Sequence, residues 1–456
     1  MVTSTSAADP NYRRELGNGL VQRWSTPEDT EQIAQLCGIV FRDKEDDPPN
    51  NYMLTSVRGQ MSGNHPLMGP GDYAVIEDTS KEGNPIVACT CLWRRRWEYE
   101  DIAFDVGQPE YVATHPDYRN RGLIRRLFEM IHARSEAEGH LVQGITGIPY
   151  FYRQFGYEYA LDLEGRRVTY SALIPKAQES TPEPYTLRAA TFDDIPLLME
   201  LYNRQQARSM VWSVLSERFW RYYLDETEDL SAFGKQITIK MIIDTVGVAQ
   251  GYVMFADRRW SSSLNVYALN IVAGANWQAT VPSLLRALQS YGMQLPDAKP
   301  GVPPFNALSF WLGSAHPLYE ALGEELAPFY EPPYAWYIRV PDVLAFLRHI
   351  APVLERRLAN SVAASFTGKF TIDFFRGGLS MIFDRGRIIQ IEPWRAPLYQ
   401  SDADAICPAL VFLQLLFGYR SLDELRNAYP DVRVEKPGAQ VMLNALFPKK
   451  FSWVPG

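Results

Sequence analysis

Residues 110–139 read EYVATHPDYRNRGLIRRLFEMIHARSEAEG, and four arginines, Arg119, Arg121, Arg125 and Arg126, surround one glycine, Gly122. An apolar run precedes them. After them Ile124, Leu127, Phe128 and Ile131 recur at i, i+3, i+4 and i+7, which predicts an amphipathic helix from about Gly122 to Glu138. Gly122 therefore falls where a strand gives way to a helix. A helix N-terminus presents unpaired N–H groups and a partial positive charge, a site best suited to phosphate. Glycine lets a diphosphate approach the backbone, and Arg119, Arg121 and Arg125 can clasp its oxygens bidentately. Taken alone, the R-x-x-G also fits a solvated basic face with a loop glycine.

The flanking elements must hold this turn. Upstream, GLVQRWS (19–25) reads as a strand and TPEDTEQIAQLCGIVF (26–41) as a helix, with Thr26 as cap and Pro27 at the first helical position. FRDKEDDPPNN (41–51) is an acidic, proline-broken loop. Strands follow at 72–78, 84–100 and 109–114, then the helix, then a strand at 140–146 and the aromatic segment IPYFYRQFGYEYA (148–160). The order is strand, helix, three strands, helix, strand, a mixed α/β layer and not a repeated βαβ unit.

In this order the strand, the R-x-x-G turn, the helix, the strand and the Y-x-x-x-G-[FY] of Tyr152–Tyr157 resemble the GCN5-related N-acetyltransferase (GNAT) family. The resemblance implies that Arg119, Asn120, Arg121, Gly122, Leu123, Ile124 and Arg125 hold the pyrophosphate of acetyl-CoA. It implies that backbone groups of Val112, Ala113 and Thr114 hold the pantetheine and the acetyl carbonyl, and that Tyr152 is the general acid. Ile124 stands where the family has a small residue. With Arg125 after it, the turn looks like that of the Eis (enhanced intracellular survival) subfamily, which implies an active GNAT domain, a degenerate GNAT domain and a C-terminal sterol-carrier-protein-like domain.

Acetyl transfer to an amine needs an amine that loses a proton, a stabilised oxyanion and a protonated leaving thiolate. A phenol with a pKa of about 10 suits a thiol leaving group of about 8.5. Read without the resemblance, Tyr152 is a core aromatic among Tyr150, Phe151, Phe155 and Tyr157. The Eis likeness implies the C-terminal carboxylate, here that of Gly456, as general base. Those tails end in an aromatic residue, whereas this one ends FSWVPG, so Phe451 and Trp453 are alternatives for packing near the site. A water relay or an acid of the DKEDD loop (43–47) also remains open as the base. His115 reads as a turn residue and His132 and His140 as surface residues. Cys89 and Cys91 read as core, and no metal site is expected.

A second unit opens with YTLRAATFDDIPLLMELYNRQ (185–205), which repeats the strand and the Thr-capped helix. Strands at 237–244, 249–257 and 263–274 and a helix at 280–292 follow, but IVAGANWQATV carries no R-x-x-G. After the segment 340–361, a β-meander at 370–393 and helices at 404–418 and 421–428 form a third unit. The expected fold is mixed α/β (α+β), with a catalytic GNAT domain over 1–172, a degenerate one over 185–340 and a sterol-carrier-like domain over 345–456. QESTPEP (178–184) reads as the linker.

A net charge of −8 argues against nucleic acid as the partner and accommodates a cationic substrate. The N-terminal residues lack a signal-peptide core, and the longest apolar run, 406–418, is shorter than the roughly 20 residues of a membrane span. Four cysteines are too few for a disulfide framework, so a cytoplasmic protein is expected. The leading expectation is an acetyl-CoA-dependent N-acetyltransferase acting on a polyamine, an aminoglycoside-like amine or lysine; the resemblance adds a homo-oligomer, a hexamer in the relatives. The competing readings are a lipid-binding protein with an inert first domain and a tandem-GNAT transferase of long acyl or aminoacyl groups.

Overall fold

The computed structural model describes residues 6–177, 182–206, 208–225, 237–397 and 402–455. Its first sheet uses β1 (Arg13–Gly17), β2 (Leu20–Trp24), β3 (Tyr73–Asp78), β4 (Ile86–Tyr99), β5 (Ile102–Thr114), β6 (Val142–Ile145) and β7 (Glu158–Leu163). Three helices accompany them: α1 (Thr30–Val40), α2 (Asn51–Met61) and α3 (Leu123–Ala137). The strands lie in numerical order except that Tyr334–Arg339 enters between β6 and β7, and Val211–Ser213 pairs with β4.

Period-two alternation gives this sheet two apolar faces. Ala74, Ile76, Ala88 and Leu92 meet Leu123, Leu127, Met130 and Ile131 of α3. Tyr73, Val75, Cys89 and Cys91 meet Ile33, Leu36 and Cys37 of α1 and Val57 and Met61 of α2. The cysteines are thus core residues, with Cys37 Sγ 3.8 Å from Cys89 Sγ.

Before α1, Arg23 donates to both carboxylate oxygens of Asp29, at 2.7 and 2.8 Å, and Asp29 accepts from the Thr26 N–H at 2.7 Å. The same device stands at the second helix of this kind: Arg188 donates to both oxygens of Asp194, and Asp194 accepts from the Thr191 N–H. Burial raises the Asp29 carboxyl, but the Arg23 and Thr26 hydrogen bonds outweigh it and the net shift is downward. Asp29→Asn should therefore cost about 2 kcal/mol at neutral pH, read from urea unfolding. This contribution is present above the ordinary carboxylate value of about 3.9 and disappears as pH falls through the lower folded value. The stability gap between variant and parent should close on acidification below about pH 4.

The chain forms two units. One holds Met1–Leu161, Ser209–Val214 and Ala335–Ser452; the other holds Asp162–Arg208, Leu215–Tyr334 and Trp453–Gly456. The second unit has a seven-stranded sheet in the order Phe329–Glu331, Arg166–Tyr170, Ala307–Phe310, Ser263–Ile271, Ala249–Ala256, Ile237–Asp244, Tyr185–Ala189. Like β5 and β6, Ser263–Ile271 and Ala307–Phe310 run parallel. Arg166–Tyr170, which a first-domain boundary at 172 would place with β7, pairs with Ala307–Phe310 of this sheet. Tyr334–Arg339 pairs instead with β6 of the first sheet. Each sheet thus takes a strand from sequence assigned to the other.

The first unit also contains a five-stranded sheet of Arg387–Trp394, Gly378–Asp384, Gly368–Asp373, Ala405–Ile406 and Arg433–Val434. The segment 340–361 holds two helices, Val343–His349 and Ala351–Ala359, since Pro352 cannot donate to a continuous helix. The run at 404–418 begins as the short strand and becomes a helix only at Ala409. Tyr99, Phe104, Phe346 and Phe417 form one aromatic cluster joining the first sheet to these helices. Among the described residues no helix is long and apolar enough to cross a membrane.

Candidate active site

The parallel strands β5 and β6 pair only at Val106↔Val142 and Gly107↔Gln143. Beyond Gly107 the β5 edge opens, and its backbone from Gln108 to Thr114 keeps only β4 as a strand partner among the described residues. On the β4 side the register slips: Cys91 faces Glu110 and Cys89 faces Ala113. The extra residue is a β-bulge, and Tyr111 carries it at φ +53°. A bulky residue held there is strained, and such strain persists where neighbours over-determine it. Here the Tyr111 hydroxyl is 2.6 Å from Ser56 Oγ on α2, and its ring stands against Trp93 and Phe41.

α3 follows this open edge after a 3₁₀ turn, Pro116–Tyr118. Its N-cap is Gly122 at φ +72°, no side chain caps it, and a Cβ there would meet nothing within 4 Å. The first-turn N–H groups at Leu123, Ile124 and Arg125 therefore face open space under the helix dipole. Asn120 also adopts the left-handed region, at φ +62°. Arg119, Asn120, Arg121 and Arg125 are exposed around the turn. Arg121 is anchored to the Asp117 carbonyl at 2.9 Å and lies 4.7 Å over the Tyr118 ring. Arg125 donates to Gln154 Oε1 and lies over the Phe155 ring. These contacts hold the guanidiniums without neutralising them.

Tyr152 is 3% exposed. Its ring sits among Phe151, Tyr337 and Phe128 with centroids at 5.1, 5.4 and 5.7 Å. Val112 and Ile124 pack against this cluster, so β5, the start of α3 and Tyr152 meet there. The bulky Ile124 is absorbed by these aromatic rings. Burial first, and then the charge of Glu110, hold the Tyr152 hydroxyl well above the ordinary phenol value. It stays protonated across the neutral range.

Beside the open edge, the buried atoms Trp93 Nε1, Gln108 Oε1 and Thr114 Oγ1 have no hydrogen-bond partner among the described residues. Trp93 and Gln108 face each other in register, and Thr114 ends the open edge. Buried orphans of this kind mark a place where something else supplies the hydrogen bond. Open backbone, an uncapped helix end, arginines and a protonated phenol together suit a phosphate-bearing acyl donor.

Residues 22–160 match the family model described as an acetyltransferase (GNAT) domain. The chain carries a GNAT acetyltransferase domain. By that domain the protein is an N-acetyltransferase. Among solved structures, a GCN5-related N-acetyltransferase from Anabaena variabilis is 13% identical, over 95% of this chain and 99% of that one, with a TM-score of 0.63. A GCN5-related N-acetyltransferase from Kribbella flavida is 16% identical over 96% and 99%, with a TM-score of 0.61. Eis1 from Mycobacterium abscessus is 12% identical over 95% and 98%, with a TM-score of 0.55. At these identities the likeness is one of fold, and it runs nearly the whole chain. No curated protein matches the sequence.

The helix Trp277–Gln294 occupies the corresponding place in the second sheet, but Asn276 caps it and accepts from the N–H groups of Gln278 and Ala279. The donors that α3 of the acetyltransferase domain leaves open are satisfied there by a side chain. Other expectations are placed elsewhere. The Phe451 carbonyl accepts from the Met210 N–H. Trp453 packs against the core of the second unit. Gly456 lies outside the described residues, as do 178–181 of the expected linker. The 43–47 loop is largely exposed, with Asp47 accepting from the Lys44 N–H. His140 is buried, 3.0 Å from Ser135 Oγ, and His132 is 3.0 Å from the Tyr157 hydroxyl, so neither is a surface residue. Among the described residues no cluster of His, Cys, Asp and Glu could hold a metal ion.

Sequence reasoning missed Glu110. Its only signal is an acid inside the run GQPEYVAT, next to a proline, where alternation calls for a residue facing the core.

Proposed function

We propose that the acetyltransferase domain transfers acetyl from acetyl-CoA directly to a primary amine, of a polyamine, an aminoglycoside-like molecule or a lysine. The observation that carries this is the uncapped α3 N-terminus at Gly122, which opens beside the bulged, half-paired β5 and the buried Tyr152. Acetyl-CoA supplies the activated thioester. Arg119, Asn120, Arg121, Gly122, Leu123, Ile124 and Arg125 hold its diphosphate by backbone N–H groups and guanidiniums. Val112, Ala113 and Thr114 orient the pantetheine and the acyl carbonyl through backbone groups of the open edge. The neutral amine attacks the acyl carbon and gives up one N–H proton to a base, the C–S bond breaks, and Tyr152 gives its proton to the leaving sulfur and is reprotonated from solvent.

The same reading takes the second unit as a degenerate GNAT domain, supported by the Asn276 cap. It takes the five-stranded sheet and its helices as a sterol-carrier-like domain, supported by the packing of Val343–His349 and Ala351–Ala359 on the strand Arg387–Trp394. The test is calorimetric titration with acetyl-CoA of the parent and of an Arg121→Glu, Gly122→Asp variant. Micromolar binding in the parent that the variant loses is the expected result. A folded parent that binds nothing would overturn acetyl-CoA as the donor and the transfer mechanism with it.

A further inference from the structure

One acid beside the open strand has no part in the transfer steps so far assigned. Glu110 is half-buried on β5, opposite Cys91. Cys91, Trp93 and Tyr111 belong to the core under α1 and α2, so the Glu110 side chain leaves the sheet on that face and not towards α3. Gln108 donates to Glu110 Oε1 at 2.6 Å, and the Tyr111 N–H at the bulge also donates to the carboxylate. A carboxylate has about four acceptor sites, so two donors leave room for another. Trp93, Tyr111 and Phe41 supply ring faces and edges on the same side, which suit an arriving ammonium group.

Resting on the acetyl-transfer reading, we infer that Glu110 is the group that takes the proton from the attacking amine. The N–H proton passes to a Glu110 oxygen as the nitrogen lone pair forms the C–N bond. The C–S bond then breaks and the thiolate takes the Tyr152 proton. Glu110 afterwards releases its proton to solvent, and the tyrosinate takes one up. The two residues are linked. The Glu110 charge is one of the two influences that hold the proton on Tyr152. Once Glu110 is protonated that influence is gone, and Tyr152 becomes a stronger acid at the step that needs one.

The groups that act on Glu110, or feel its charge, are Arg95 and Cys91 from β4, Tyr52 from α2, Gln108 and Tyr111 from β5, and Tyr152. Burial raises its carboxyl above the usual range; Gln108, Arg95 and the Tyr111 N–H pull it partly back. A base must be deprotonated, so activity is present above that raised value and is lost as pH falls through it.

The experiment compares the full-length parent with Glu110→Gln and Glu110→Asp, using acetyl-CoA with spermidine, kanamycin and Nα-acetyl-lysine amide as acceptor probes. Acetyl-CoA affinity by calorimetry should match in all three proteins. Glu110→Gln should lose about 100-fold in kcat/KM at pH 7 and the acid limb of the pH profile, and Glu110→Asp should restore part of both. At pH 9–10, where more of the acceptor is already neutral, the loss should shrink. An even loss at all pH values would mean a structural role and overturn the assignment. So would a Glu110→Gln enzyme with parental rates and an intact acid limb, the result expected if the Gly456 carboxylate were the base. A parent that transfers to none of the probes would overturn the amine reading itself, and Glu110 as base with it.

Discussion

Tyr152→Phe should give a folded protein that binds acetyl-CoA as tightly as the parent and transfers acetyl about 10²- to 10³-fold more slowly. The change removes one oxygen and keeps the ring among Phe128, Phe151 and Tyr337. Neither the core nor the diphosphate site should notice it. Phenylalanine cannot protonate the departing sulfur, so the thiolate must leave as an anion or wait for water. Thermal unfolding, calorimetry with acetyl-CoA and steady-state rates separate the possibilities. Parental turnover in the variant would return Tyr152 to a packing role, the reading that its aromatic neighbours alone would favour.

Gly122 should separate stability from binding. Gly122→Asp places a carboxylate where the diphosphate is proposed to sit, and acetyl-CoA affinity should fall by about 100-fold or more. The same carboxylate favours a helix N-terminus, and Asp tolerates the left-handed region better than most residues. The melting temperature should therefore hold. Gly122→Ala does the reverse. It costs about 1 kcal/mol for a Cβ at φ +72°, yet a methyl group in open space leaves the donors accessible, so affinity should stay within about tenfold. If Asp and Ala weakened binding equally, backbone conformation and not charge at the helix end would be what the cofactor reads.

Much of the local structure was legible in the residues alone. α3 could be read to within one residue at each end, because an apolar stripe of helical period begins right after a glycine flanked by arginines. The strand at 237–244 was read to the residue, since β-branched residues fill a short run bounded by turn signals. What escaped has physical reasons. The bulge at Tyr111 has no composition signature, because the positive φ sits on a tyrosine and not on a glycine. Helix α2 is capped by Asn50 but follows two prolines and has mixed polarity, so no element stands out there in the sequence. Glu110 looked like an ordinary polar position until the register put it opposite Cys91. Strands that pair across long sequence separations leave no local mark at all, and this hid Arg166–Tyr170 and Tyr334–Arg339.

The placement of Tyr334–Arg339 beside β6 has a consequence for synthesis on the ribosome. Tyr337 pairs with Ile145 and forms one wall of the Tyr152 cage. β6 is translated about 190 residues earlier, which at roughly 5–20 residues per second is a wait of about 10–40 s. During that interval the nascent domain exposes an unpaired strand edge and an incomplete aromatic pocket, the kind of surface that chaperones hold. A gene fragment ending at residue 172 would stay in that condition permanently: it would encode the whole turn around Gly122 and still lack one wall of the cage around Tyr152.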